Sequence, residues 1–274
     1  MEQLETQRQY LKNDLRSVYG WLGAVDAEII HSTMKFQRVE GLNGGVAEIG
    51  LHHGKLLIAL CLALSDGEKA YGIDIFDAQD LNRDRSGAGN RAILESNLKQ
   101  YGVDLTHVVL DGRSSELVTA SDIVDAVGAV KFFSVDGGHW RDIVVNDLKL
   151  AQNTIADHGV IALDDFHRPD WPDVSAGLID WKRDAPEILP FAVGSNKIYL
   201  CRSDYVEKYK TLLLENSYLQ SFLVKEYEFL GSRIPIFHLH AEDCLSNKEK
   251  ARDMFKVFYP NVYMHFLKLL KRTG

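Results

Sequence analysis

Apolar positions divide the chain into three zones with different periods. Over residues 1–40, Leu4, Leu11, Leu15, Tyr19 and Leu22 recur at helical spacing, and a second set surrounds Val25, Ile29 and Ile30. This zone is expected to be an N-terminal helical cap. From 41 to 203, short apolar runs alternate with helical stretches. GVAEIG, AYGIDIF, THVVLDG, VKFFSVDGG and HGVIALDDF read as strands, separated by segments such as KLLIALCLALS, RAILESNLKQYG and IVVNDLKLAQNTI. ILPFAVG and NKIYLCR add two more. The βαβα rhythm predicts an α/β fold: a doubly wound, mostly parallel seven-stranded sheet with helices on both faces and an antiparallel last pair. From 204 to 274, YKTLLLENSYLQSFLVKEYEFL and KARDMFKVFYPNVYMHFLKLLKR carry aromatic and aliphatic stripes. They predict a helical C-terminal extension serving as packed appendage, dimer surface or lid.

Composition narrows the partners. The 274 residues suit one domain with additions, and 46% hydrophobic with 26% charged residues is ordinary for a packed chain. A net charge of −8 without a basic run argues against a nucleic-acid partner. Cys61, Cys201 and Cys244 are widely spaced and form no CxxC, which argues against a disulfide framework or a structural zinc site. The start MEQLETQRQY is polar, and no apolar run nears the roughly 20 residues that span a bilayer. The expectation is a cytoplasmic protein with no membrane contact, and a homodimer through the C-terminal helices.

Chemistry concentrates where strands end. In GGVAEIGLHHG, Glu48 closes a strand, and Gly50 and Gly54 allow a tight turn and close approach of a ligand to the backbone. Position 52 is histidine, so the turn does not fit the dinucleotide fingerprint G-x-G-x-x-G. One βα unit later Asp74 ends YGID, where a carboxylate can accept both hydroxyls of a ribose; a helix cap is the plainer reading. Asp111, Gly112 and Arg113 form a polar turn after the third strand, part of a cofactor site or simply a cap.

FFSVDGGHW then ends a strand with Asp136, followed by His139 and Trp140, and GVIALDDF ends another with Asp164 and Asp165. Parallel strands would gather these three carboxylates at one edge, where they repel unless a cation sits between them; Mg2+ is held by such a set. A metal there lowers the pKa of a coordinated hydroxyl. His139 has the chemistry of a general base for that proton. Asp136 serves cofactor, metal and catalysis in this reading. The competing account makes Asp136 and Asp165 helix caps and His139 a surface residue.

Residues 46 to 166 resemble the metal-dependent class I O-methyltransferases that use S-adenosylmethionine (SAM), broadly the catechol O-methyltransferase-like group. VDGGHWRDIVVNDL followed by GVIALDDF is most similar to the branch of macrocin and mycinamicin sugar O-methyltransferases. The resemblance implies Asp136, Asp164 and Asp165 as magnesium ligands and His139 as base. It implies Glu48, Gly50 and Asp74 as SAM-binding residues. Relative to the catechol enzymes, His139 stands where a lysine base is used and Asp165 where an asparagine is used.

Other residues carry weaker expectations. The loop NRDRSGAGNR can close over the site or lie idle on the surface, and His167, Trp171 and Trp181 can flank an acceptor pocket. His52 and His53 are expected to face solvent, His158 to lie in a loop, and His238 and His240 on one face of an extended piece. The leading reading is methylation of a small-molecule hydroxyl, a sugar or natural-product glycoside. An NAD-type oxidoreductase, a metal-dependent hydrolase or hydroxylase, and a non-catalytic SAM-binding module are the alternatives.

Overall fold

A computed structural model describes residues 2–83 and 85–238. Seven strands follow the expected order: β1 (Gly45–Ile49), β2 (Ala70–Ile73), β3 (Val108–Asp111), β4 (Val130–Val135), β5 (Ile155–Leu163), β6 (Ile188–Val193) and β7 (Ile198–Arg202). Two more, β8 (Leu223–Phe229) and β9 (Ser232–Phe237), extend the same sheet, so it has nine strands rather than seven. The order is β3-β2-β1-β4-β5-β7-β6-β9-β8. β1 to β5 are parallel, whereas β7 runs antiparallel to both β5 and β6.

The sequence of β1, β2 and β4 explains their place. Every residue of these strands is buried, as continuous apolar runs covered on both faces require. Helices α1 (Glu2–Gln9) and α2 (Ala24–Val39) form the N-terminal zone. The crossovers contain α3 (Lys55–Leu62), α4 (Arg91–Gln100), α5 (Ala120–Val127) and α6 (Arg141–Thr154). Next come α7 (Pro172–Lys182), α8 (Ser203–Leu214) and the single turn α9 (Ser217–Gln220). Ile49, Phe133, Leu148, Leu163, Leu178 and Trp181 belong to one apolar cluster between the sheet and α5 to α7. Trp181 is wholly buried there, its Nε1–H donated to Gln152 Oε1 at 2.9 Å, so it is a core residue and flanks no pocket.

The C-terminal expectation needs correction. The helical pattern holds over Ser203–Leu214, but LVKEYEF is strand β8, paired antiparallel with β9. Its five central positions are exposed, and Leu223, Tyr227 and Leu230, four and three residues apart, give this outer strand the apolar spacing of a helix. Ile236 and Phe237 are extended as expected; His240 and the stretch KARDMFKVFYPNVYMHFLKLLKR lie outside the described residues. His158 falls inside β5 rather than in a loop. Among the described residues no helix is long and apolar enough to cross a membrane.

Register carries the strand ends to one line. Ile49 pairs with both Ile73 and Val135, and Val135 with Leu163. Gly50, Asp74, Asp136 and Asp164 are therefore the next residues of four neighbouring strands. Their backbone N–H groups continue the ladder, Asp136 N–H to Ile49 O at 3.0 Å and Asp164 N–H to Val135 O at 2.9 Å. Between β1 and β4 the winding reverses, which opens a crevice at the carboxyl edge.

Candidate active site

A cavity of about 420 Å³ occupies that crevice, a size suited to a small-molecule site. Gly50, His52 and Asp74 line one side; Asp136, His139, Asp164 and Asp165 line the other. Gly50 has φ +84°, and a Cβ there would collide with the carbonyl oxygen of Asp136. The two turns thus touch through their backbones, and only glycine permits it.

Glu48 lies two residues before Gly50, beneath the cavity rather than on its wall. It is buried, and its Oε2 has no hydrogen-bond partner among the described residues. Burial pushes its carboxyl well above the usual range, against the nearby Lys197 ammonium, which favours the charged form. Asp74 accepts from the backbone N–H of His52 at 2.8 Å and of Phe76 at 2.7 Å. A carboxylate has about four acceptor positions, so capacity remains for a diol. Gly89 closes over it so tightly that a Cβ would lie 2.6 Å from Asp74 Oδ1.

The third-strand turn behaves differently from the expectation. Asp111 is engaged by Arg113 and by Tyr71 OH, with Arg113 Nη2 at 2.6 Å and the phenol at 2.7 Å. The Arg113 bonds hold its carboxyl down at about 2. Arg113, Ser114 and Ser115 line the cavity; Asp111 and Gly112 do not. Gly54 caps α3 with φ +86° and packs on Leu94, also off the wall.

On the opposite side His139 Nε2 lies 2.8 Å from Asp165 Oδ2, and Nδ1 lies 3.3 Å from Ser86 Oγ. The Trp171 indole stacks on the imidazole at 4.2 Å and 11°. Asp165 is held at φ +55°, an uncommon conformation for a non-glycine residue. Burial alone would raise its carboxyl, but hydrogen bonds from His139 and Asn196 prevail and hold it below the usual range. Asp136 is pushed far up, by burial first and by the Asp164 carboxylate second. Ligating atoms of Asp136, His139 and Asp165 all lie within 4.8 Å of one another. This oxygen-rich set fits a divalent ion, with modest closure to the roughly 2.1 Å bonds of Mg2+.

Asp164 takes another partner. Its Oδ2 meets Lys197 Nζ at 2.5 Å, and its Oδ1 accepts from Asn196 Nδ2 at 2.6 Å, which also reaches Asp165 Oδ1 at 2.9 Å. Antiparallel β7 explains this: Leu163 pairs with Ile198, so the residues before Ile198 arrive beside those after Leu163. Neither Asn196 nor Lys197 was anticipated, because SNK between two strands reads as an ordinary polar turn.

The polar loop after β2 does close over the cavity, with Arg83, Ser86, Gly87 and Gly89 on its wall. Trp140 and Trp171 join them, whereas His167 does not line it. His52 also lines the cavity and stacks on His53 at 4.0 Å, so it is not the solvent-facing residue expected.

Residues 47–166 match the family model described as a methyltransferase domain. Over that span, a little under half of its length, this chain is similar to a methyltransferase domain. Solved structures agree with its fold. The O-methyltransferase NovP is 14% identical with a TM-score of 0.53, covering 71% of this chain and 88% of its own. CalS11, a calicheamicin methyltransferase, is 14% identical with a TM-score of 0.50, covering 74% and 91%. Among curated protein sequences none matches this chain. The matched span runs from β1 past Asp165, and so includes Gly50, Asp74 and the His139–Asp165 pair.

Proposed function

We propose that the chain transfers a methyl group from SAM to a hydroxyl of a small acceptor, with a divalent ion assisting and a glycosyl hydroxyl as the favoured acceptor class. One observation carries this reading: a single cavity has a nucleoside-type cradle on one wall and a histidine–carboxylate pair on the other. The buried, unpartnered Glu48 Oε2 and the spare acceptor capacity of Asp74 suit the amino-acid and ribose parts of SAM. SAM supplies an electrophilic sulfonium methyl when bound. The O–CH3 bond forms as the S–CH3 bond breaks, releasing S-adenosylhomocysteine, and the hydroxyl proton leaves to the protein.

His139 is the residue to take that proton. In the tautomer that donates Nε2–H to Asp165, Nδ1 holds the lone pair, and Asp165 stabilises the imidazolium that results. Ser86 Oγ, 3.3 Å from Nδ1, sits where an acceptor hydroxyl would stand. Asp136 and Asp165 would hold the ion, which would supply Lewis-acid activation of the hydroxyl and leave the His139 lone pair for the proton; Asp164 stands behind them on Lys197. Trp140 and Trp171 line the cavity with aromatic surface of the kind that packs on sugar rings, and the likeness to CalS11, a TDP-rhamnose 3'-O-methyltransferase, favours this acceptor class.

The test is calorimetry with SAM followed by methyl transfer to a panel of glycosides, with and without EDTA. SAM binding together with EDTA-sensitive, Mg2+-restored transfer is the expected result. A chain that binds NAD and ignores SAM would overturn the reading. Full turnover in EDTA would remove the metal and leave the His139–Asp165 pair as the whole proton-transfer apparatus.

A further inference from the structure

Lys197 is 2% exposed and is surrounded by carboxylates, of which Asp26, Glu48 and Asp164 are themselves buried and Asp136 is partly so. Asp164 pairs with it directly, and Asp26, Glu48 and Asp136 act on it or feel it through the interior. These four acids come from α2, β1 and the ends of β4 and β5, so no local sequence rule brings them together. The turn before β7 adds neutral support. Asn196 Nδ2 bridges Asp164 and Asp165, and its backbone N–H is donated to Asp26 Oδ2 at 3.1 Å. Tyr199 OH donates to Asp26 Oδ1 at 2.9 Å. Gly194 closes the turn against the same carboxylate, where a Cβ would collide with Asp26 Oδ1.

Buried charge of one sign is tolerated only when matched. Here the matching charge is a side chain. We propose that Lys197 is a resident cation of the carboxylate cluster: it keeps the cluster folded when no divalent ion is bound, and so sets how strongly the protein depends on that ion. The inference rests on the metal-assisted reading above. Lys197 touches no reacting atom; it is a positioning residue that acts through Asp164 and, through Asn196's bridge, beside Asp165. Its removal leaves the same acids with a vacancy of positive charge, which a divalent ion can fill.

The experiment measures Mn2+ affinity and thermal denaturation of the full chain, in EDTA and in Mn2+, with SAM affinity measured alongside. The natural chain is expected to show a small Mn2+ effect on Tm. Lys197→Met is expected to melt well below it in EDTA, to regain most of the loss in Mn2+, and to bind Mn2+ roughly tenfold more tightly, since whatever binds the folded state alone stabilises it. Lys197→Arg keeps the charge and should keep the small metal response. Asp26→Asn removes a negative charge from the same interior without touching the ion, and should weaken Mn2+ binding several-fold at unchanged SAM affinity.

Opposite movements of Mn2+ affinity in Lys197→Met and Asp26→Asn mark charge balance; ordinary structural damage would weaken both. Lys197→Met that is destabilised equally with and without Mn2+ overturns the proposal. Should that variant fail to fold in either buffer, unchanged or tighter Mn2+ binding by Asp26→Asn overturns it. Failure of the natural chain to bind SAM would instead strike the methyl-transfer reading.

Discussion

At His139 the ring is gripped twice, by Asp165 through Nε2 and by the indole of Trp171 stacked on its face. Replacing Asp165 with asparagine leaves the shape but loses the anion that fixes the tautomer. Asp165→Asn and His139→Ala are each expected to lower kcat by about 10²–10⁴-fold, the usual range for a proton-transfer group, with SAM affinity nearly unchanged by calorimetry. Asp147 makes a different prediction. It is buried on α6 under Gly137, its Oδ2 unpartnered, and burial pushes its carboxyl up to about 7. A raised folded pKa means that the stability tied to the neutral acid is full below the unfolded value near 3.9 and is lost as pH climbs through about 7. Asp147→Asn should therefore raise Tm by a few degrees at about pH 8 and hardly at all at about pH 4, as differential scanning calorimetry can show.

Elements show how the fold is specified. Thr119 and Asp122 form a reciprocal capping box at the start of α5, with Asp122 N–H donated to Thr119 Oγ1 at 3.2 Å and Thr119 N–H to Asp122 Oδ2 at 2.8 Å. Thr119→Ala is expected to cost about 1 kcal/mol in urea denaturation, without effect on SAM affinity. The same locality made much of the architecture readable. β1, β2, β4 and β5 announce themselves as apolar runs ending in Glu48–Gly50, Asp74, Asp136 and Asp164–Asp165, and a parallel sheet then aligns those ends without further information. β8 was hidden because Leu223, Tyr227 and Leu230 fall at helical spacing, and only pairing with β9 decides it. Lys197 was hidden for a deeper reason. A lysine in a turn reads as solvated, and nothing local reveals that an antiparallel strand delivers it into the interior beside Asp164.

For the whole molecule, ligand linkage separates the readings. SAM at about 100 times its Kd should stabilise the folded chain by about 2.7 kcal/mol, visible as a rise in Tm, whereas NAD should give no shift. The N-terminal zone takes part through α2, whose Asp26 holds the turn that carries Asn196; the domain boundary expected near residue 40 therefore does not separate the site from its support. The touching backbones at Gly50 and Asp136 have one last consequence. The spacing between the turn after β1 and the turn that leads to His139 is ruled by main-chain atoms, whereas side chains at the mouth can be exchanged without moving either turn. On the proposed reading, changes at Arg83 or Trp140, away from the His139 ring, would alter the range of acceptors while the placement of the two turns stays as it is.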